Sequence, residues 1–145
     1  MILLMTKMFL AHFIGDFYLQ PTSWVQDKEQ QKHKSIYLYL HSTIHGLLVW
    51  VLIWDWTAWK IGVALAVVHF VIDLQKLIFQ KANTKRIWFF IDQMLHILSI
   101  LVIANVYQNG YISIDISQLL QSKNIVFVTG YVILTLPMSI IIQKT

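Results

Sequence analysis

Trp59 to Phe79 reads WKIGVALAVVHFVIDLQKLIF, a mostly apolar run long enough for a helix to cross a hydrocarbon core about 30 Å thick. Inside it stand His69 and Asp73, four positions apart. On a helix that spacing puts both side chains on one face, about a turn or roughly 6 Å apart. Titratable groups at the bilayer centre cost at least about 2.5 to 3.5 kcal/mol each, so they face a bundle interior and mark a functional site. The same spacing recurs in three other apolar segments, as His12 with Asp16, His41 with His45, and Asp92 with His96. Four helices each aim two ligand-type groups one way.

The surroundings are those of a membrane protein. Hydrophobic residues make up 57% of the chain, charged ones 12%, and the mean hydropathy is +0.62, far from the balance of a soluble domain. The 145 residues are expected to form one integral membrane domain. The fold class is all-α, a polytopic transmembrane bundle of about five helices, placed at Ile2 to Gln20, Ser35 to Trp54, Trp59 to Phe79, Ile87 to Tyr107 and Ile125 to Ile142. The first is the weakest by hydropathy, since it carries Lys7, His12 and Asp16, and a re-entrant segment is its alternative. A cleaved signal peptide does not fit, because the charged pair falls where an apolar h-region belongs.

Basic residues set the orientation. Lys28, Lys32, Lys34, Lys76, Lys81, Lys85, Arg86 and Lys144 collect on one side, against Lys7, Lys60 and Lys123 on the other. The N-terminus is therefore expected outside and the C-terminus in the cytoplasm, across a bacterial inner membrane. Trp50, Trp54, Trp56 and Trp59 crowd the short outer turn, while Trp24 and Trp88 mark the inner surface, as an aromatic belt does. The net charge of +4 reads as topogenic bias plus contact with anionic lipid, and no nucleic-acid stripe is present. Pro21 to Lys34 is polar, with Thr22 or Ser23 as a candidate helix cap, and is expected to lie along the inner surface. Tyr107 to Asn124 alternates weakly, as a short outer strand or interfacial helix would. The last segment has Gly130 and Pro137 but no ionisable residue, and reads as an anchor.

Counted inward from the basic side, Asp16, His41, Asp73 and Asp92 lie about four to six residues deep. His12, His45, His69 and His96 then lie one turn deeper. Eight groups at two adjacent depths suggest one constellation, and its chemistry suits a metal: imidazole favours Zn, Fe, Ni or Cu, and carboxylates add hard oxygen ligands. The chain has no cysteine, so thiolate sites and cysteine nucleophiles are excluded. The expected ligands are His12, His41, His45, His69, Asp73, Asp92 and His96 for a divalent transition metal, zinc first. Their number leaves room for two ions. The single Glu, Glu29, lies in a loop, which disfavours the Glu-x-x-His pattern of di-iron bundles. Alone, each histidine reads more readily as a partner of a neighbouring helix's hydroxyl or carbonyl. Gly15 and Gly46 read as close-packing residues; Gln20, Gln75 and Gln93 as interfacial or supporting donors; His33 as solvated; Lys85 and Arg86 as topological.

The string HFIGDFYLQP at His12 to Pro21, with HSTIHG at His41 to Gly46, HFVID at His69 to Asp73 and DQMLH at Asp92 to His96, resembles an uncharacterised bacterial family of small membrane proteins with an HxxGDFxLQ signature. It spans about residues 8 to 100. More distantly, the HSxxHG and HxxxD elements are similar to those of predicted membrane-bound metal-dependent hydrolases. That resemblance implies zinc-type ligands at His41, His45, His69 and Asp73. The chain lacks that group's acidic D-x-D-H element and the Arg after the first His of its second motif, so no substrate transfers with the likeness.

Three functions compete. The first is a metal-dependent hydrolase acting on membrane lipid or a lipid-linked substrate, with Asp16 as general base and Asp92 as its alternative. No HExxH or GxSxG occurs, against zincin proteases and serine esterases. The second is a metal or proton transporter or relay, a use membranes also make of Asp and His chains; inverted repeats are not evident, though a homo-oligomer would supply a second half. The third is haem binding by a His pair, disfavoured by the scarcity of basic groups near the His layers.

Overall fold

The computed structural model describes residues 2 to 109 and the isolated Gly130. Among them are five α-helices and no strand: α1 Ile2–Phe17, α2 Thr22–Gln31, α3 Ile36–Ile53, α4 Trp59–Phe79 and α5 Lys85–Asn109, with 3₁₀ turns at Lys32–Lys34 and Trp56–Ala58. The expected fifth crossing at Ile125 to Ile142 lies outside the described residues. So does the expected strand or interfacial helix, apart from its first residues, which α5 takes in.

Three stretches are long and apolar enough to cross a membrane: Ile36–Ile53, Trp56–Phe79 and Lys85–Gln108. These are the second, third and fourth of the expected crossings, and the bundle is all-α as the sequence reading has it. The α1 helix has 16 residues, or about 24 Å at 1.5 Å per residue, and stops at Phe17, not Gln20. Tyr18 and Leu19 both donate their backbone N–H to the Ile14 carbonyl at 3.0 Å. Pro21, two residues on, disfavours helical backbone at the residue before it.

Pro21 to Lys34 is more ordered than a polar surface loop. It forms α2, and the candidate caps are corrected: Pro21, at φ −62° and ψ 149°, takes the N-cap position without a side-chain hydrogen bond, and Thr22 is already helical. Lys32 and Trp54, at φ 52° and 59°, carry the left-handed residues that turn α2 and α3. Asp55 then caps the turn into α4, accepting from the Thr57 N–H and hydroxyl at 2.8 Å each. These bonds hold its carboxyl below the ordinary carboxylate range.

The bundle is polar inside and apolar outside at one end. His12, His41, His45, His69, His96, Asp73, Asp92 and Gln93 are buried, while Val63, Val67 and Val71 of α4 and Leu47 and Val51 of α3 are exposed. In water this arrangement would be unfavourable; in hydrocarbon it leaves apolar groups against lipid. Toward the tryptophan-rich end the interior becomes apolar, with Met5, Met8, Phe9, Val49, Ile61, Leu65, Ile97 and Ile100 in one core. The Lys7 ammonium donates to the Ile53 carbonyl at 3.1 Å there, serving a C-terminal carbonyl of α3 that the helix leaves unpaired.

Helices α3 and α4 touch backbone to backbone. A Cβ on Gly46 would lie 2.5 Å from the Gly62 carbonyl oxygen, and one on Gly62 would lie 2.6 Å from that of Gly46. Small residues at membrane helix crossings allow such approach. Gly46→Ala or Gly62→Ala is therefore expected to force the helices apart at a cost of about 1 to 3 kcal/mol, read as a lower melting temperature in mild detergent. An unchanged midpoint in both variants would contradict this contact.

Candidate metal centre

Each helix of the bundle delivers its pair to one place. The i, i+4 spacing aims His12 and Asp16 from α1, His41 and His45 from α3, His69 and Asp73 from α4, and Asp92 and His96 from α5 into a common interior. All eight residues expected from sequence meet there.

The two depths expected from sequence are visible. In the deeper layer four imidazoles close a ring, with centroids 3.8 Å apart for His45 and His69, 4.2 Å for His69 and His96, 4.6 Å for His96 and His12, and 5.1 Å for His12 and His45. His41 lies a turn toward the polar end, its ring 4.6 Å from His45 and 4.9 Å from His69. The three carboxylates share its level.

Asp16 is the meeting point. Its Oδ1 lies 3.1 Å from His45 Nε2, 3.2 Å from His41 Nε2 and 3.9 Å from His69 Nε2. Its Oδ2 lies 3.5 Å from His12 Nε2 and accepts from Gln93 Nε2 at 3.2 Å. The other carboxylates have ammonium partners: Lys28 on Asp73 Oδ2 at 2.9 Å and Lys76 on Asp92 Oδ2 at 3.0 Å. Among the described residues Asp16 has none. Three carboxylates thus face two ammonium groups, leaving one negative charge uncompensated while the imidazoles are neutral.

Distance and hydrogen bonding disagree at this centre. His45 Nε2 and His69 Nε2 are buried and have no hydrogen-bond partner, although His45 stands within 3.1 Å of Asp16. The atoms converge without the alignment an N–H···O bond needs. A buried polar atom left so costs about 1 to 3 kcal/mol, and a cation among the nitrogens would satisfy them. Asp16, His41, His45 and His69 can offer one ligand atom each, all within 4.8 Å of one another. Ligand atoms on a four-coordinate zinc with arms of about 2.0 to 2.1 Å stand roughly 3.3 Å apart. The residues fit a metal.

Smaller parts hold the geometry. A Cβ on Gly15 would land on the His45 ring, so the glycine gives the imidazole its place beside Asp16. Gly46 packs closely, as expected. Gln93 supports two carboxylates, donating also to Asp92 Oδ2 at 3.3 Å, whereas Gln75 is exposed. A cavity of about 10 Å³ adjoins the imidazole layer, lined by His12, His45, His69 and His96 and by apolar Met8, Val49, Leu65 and Ile100. It has room for about one water.

Sequence reading missed Lys28 and Lys76, which it took for topological charges. For Lys76 a signal existed: it follows His69 and Asp73 at positions seven and three back along α4, on the same helical stripe. Lys28 reaches the site from a separate helix, and nothing local announces that.

Residues 4 to 128 match the family described as "Protein of unknown function (DUF3307)". No curated protein and no solved structure matches, so the more distant likeness to metal-dependent hydrolases finds no counterpart there.

The Lys76 and Asp92 pair makes a direct test. Removing one partner of a fully buried ion pair typically costs about 3 to 5 kcal/mol; with the Lys76 side chain a quarter exposed, about 1 to 3 kcal/mol is expected here. Lys76→Met is expected to destabilise the detergent-solubilised protein by such an amount, and Asp92→Asn added to it should recover most of the loss. Two additive losses would show the pair to be uncoupled.

Proposed function

The chain belongs to that family, and we propose that it is a membrane-embedded metal-dependent hydrolase acting on a membrane-resident lipid or lipid-linked substrate. Its ion is a divalent transition metal, zinc first, held by Asp16, His41, His45 and His69. The observation that carries this reading is Asp16, a carboxylate faced by three imidazole nitrogens at 3.1 to 3.9 Å and by no ammonium among the described residues. Three imidazoles and one carboxylate match the nitrogen and oxygen donors zinc takes. The single uncompensated negative charge favours one ion over two.

When bound, such an ion polarises a carbonyl or phosphoryl oxygen and lowers the pKa of water. The protein's own groups do the rest. Asp16 is committed as a ligand, which makes it a poor proton acceptor. Asp92 Oδ1 has no hydrogen-bond donor and lies 3.6 Å from His96 Nε2, so Asp92 and His96 are the proton-accepting end of the site. The apolar walls beyond the imidazoles, Met8, Val49, Leu65 and Ile100, exclude bulk water from a space that holds about one water molecule. The basic end, with Lys28, Lys32, Lys34, Lys81, Lys85 and Arg86, faces the cytoplasm of a bacterial inner membrane, and the N-terminus lies outside.

One observation favours a second reading, passage of an ion. The three groups able to hold a cation overlap, sharing His69 and His96, and so form a chain of sites from the polar end to the apolar cavity.

Protein purified untagged in mild detergent should contain about one zinc per chain. His45→Ala or His69→Ala should lower its affinity at least about tenfold, by analogy with losses seen even for residues that only support ligands. Asp92→Asn should keep the ion and lose turnover of labelled membrane lipid extract. Metal content unchanged in the histidine variants would defeat the metal reading. A wild type that binds zinc, hydrolyses nothing and moves zinc across liposomes would establish passage instead.

Orientation is testable in a chain free of cysteine. Cysteines placed at Gln30 and Asn83 are expected to resist impermeant maleimide in intact cells, while one at Asp55 reacts. The reverse pattern would invert the topology.

A further inference from the structure

The α2 helix lies across the polar end of the bundle and buries a single residue, Lys28. The rest of it is held from outside, by Glu29 on Lys85 at 2.7 Å, by the Ser35 hydroxyl donating to Asp27, and by Trp24 stacked on Tyr37 at 5.1 Å. Lys28 alone passes inward, its Nζ 2.9 Å from Asp73 Oδ2. Beneath it Asp73, Asp92 and His96 can offer three ligand atoms within 4.8 Å of one another. His96 Nε2 stands 3.5 Å from Asp73 Oδ1 and 3.6 Å from Asp92 Oδ1. Neither His96 Nε2 nor Asp92 Oδ1 has a hydrogen-bond partner, although both side chains are 2% exposed.

We propose that Asp73, Asp92 and His96 form a second divalent-cation site, and that the Lys28 ammonium carried by α2 is its tethered occupant in the closed bundle. The inference rests on the metal reading of the first site, whose His69 lies 3.7 Å from Asp73. Charge makes ion and lysine mutually exclusive. With Lys28 and Lys76 in place the two carboxylates are neutralised, and a divalent ion added to them would leave two positive charges in a low-dielectric interior. With Lys28 withdrawn the same ion leaves one. Binding a second ion therefore requires α2 to lift, which breaks outer polar contacts that water can replace and the Trp24–Tyr37 stack. The Lys28 ammonium sits on Asp73 Oδ2, the other oxygen of the carboxylate whose Oδ1 faces His96.

The test counts zinc. Untagged protein in mild detergent is equilibrated with Zn²⁺ alone, desalted and analysed for metal per chain. Wild type is expected to retain one ion, Lys28→Gln two, and Lys28→Gln combined with Asp73→Asn one again; Lys28→Arg, which keeps the cation, should stay at one. A Lys28→Gln protein that elutes and melts as a folded protein yet holds one ion overturns the proposal, as does a wild type that already holds two. If wild type holds none and Lys28→Gln holds one, the first site is refuted and the second stands; if neither holds any, both fail. A spin label at Gln30→Cys in the Lys28-containing protein gives a measurement independent of that variant's folding. Its mobility should rise only as a second equivalent binds, and a second binding step with α2 still immobile overturns the exchange.

Discussion

Polar side chains in a hydrocarbon environment must find one another, and the rest of this structure depends on that requirement. A helix carrying two titratable side chains on one face has a single acceptable rotation about its axis, the one that turns that face inward. Four such helices therefore fix one another's rotation and depth. The valines and leucines on their outer faces need no specific partner. Shape is decided by a minority of residues.

Close packing is the second condition, and it is met by the absence of atoms. Gly46 and Gly62 bring α3 and α4 into backbone contact, which is what lets His45 and His69 stack at 3.8 Å. Gly15 leaves the space that the His45 ring fills. The polar cluster and the glycines thus cooperate: one supplies the attraction and the other the approach. Moving either helix by an ångström would change the nitrogen separations on which any shared ion depends.

Much of the centre was legible in the sequence because its spacing is local. The four pairs, their common face and their two depths follow from helix geometry applied to short strings, and all eight residues gather as that reading expects. What failed was non-local. The first helix was drawn three residues too long because hydropathy does not see that Pro21 and the doubly accepting Ile14 carbonyl end α1 early. The surface segment concealed a helix whose Lys28 lies 45 positions from its partner Asp73. Charge counted for topology and charge used inside a site look the same in one dimension; only the packing of α2 over the bundle distinguishes them.

The position of Asp16 also governs how the protein can be made. During synthesis α1 emerges ahead of α3 and α4, bearing a carboxylate of whose imidazole partners only His12 yet exists. Alone it is a poor insertion substrate, being short and holding Lys7, His12 and Asp16 together. Its polar face is costly in hydrocarbon until α3 and α4 supply His41, His45 and His69, so the helix made first is completed by helices made after it.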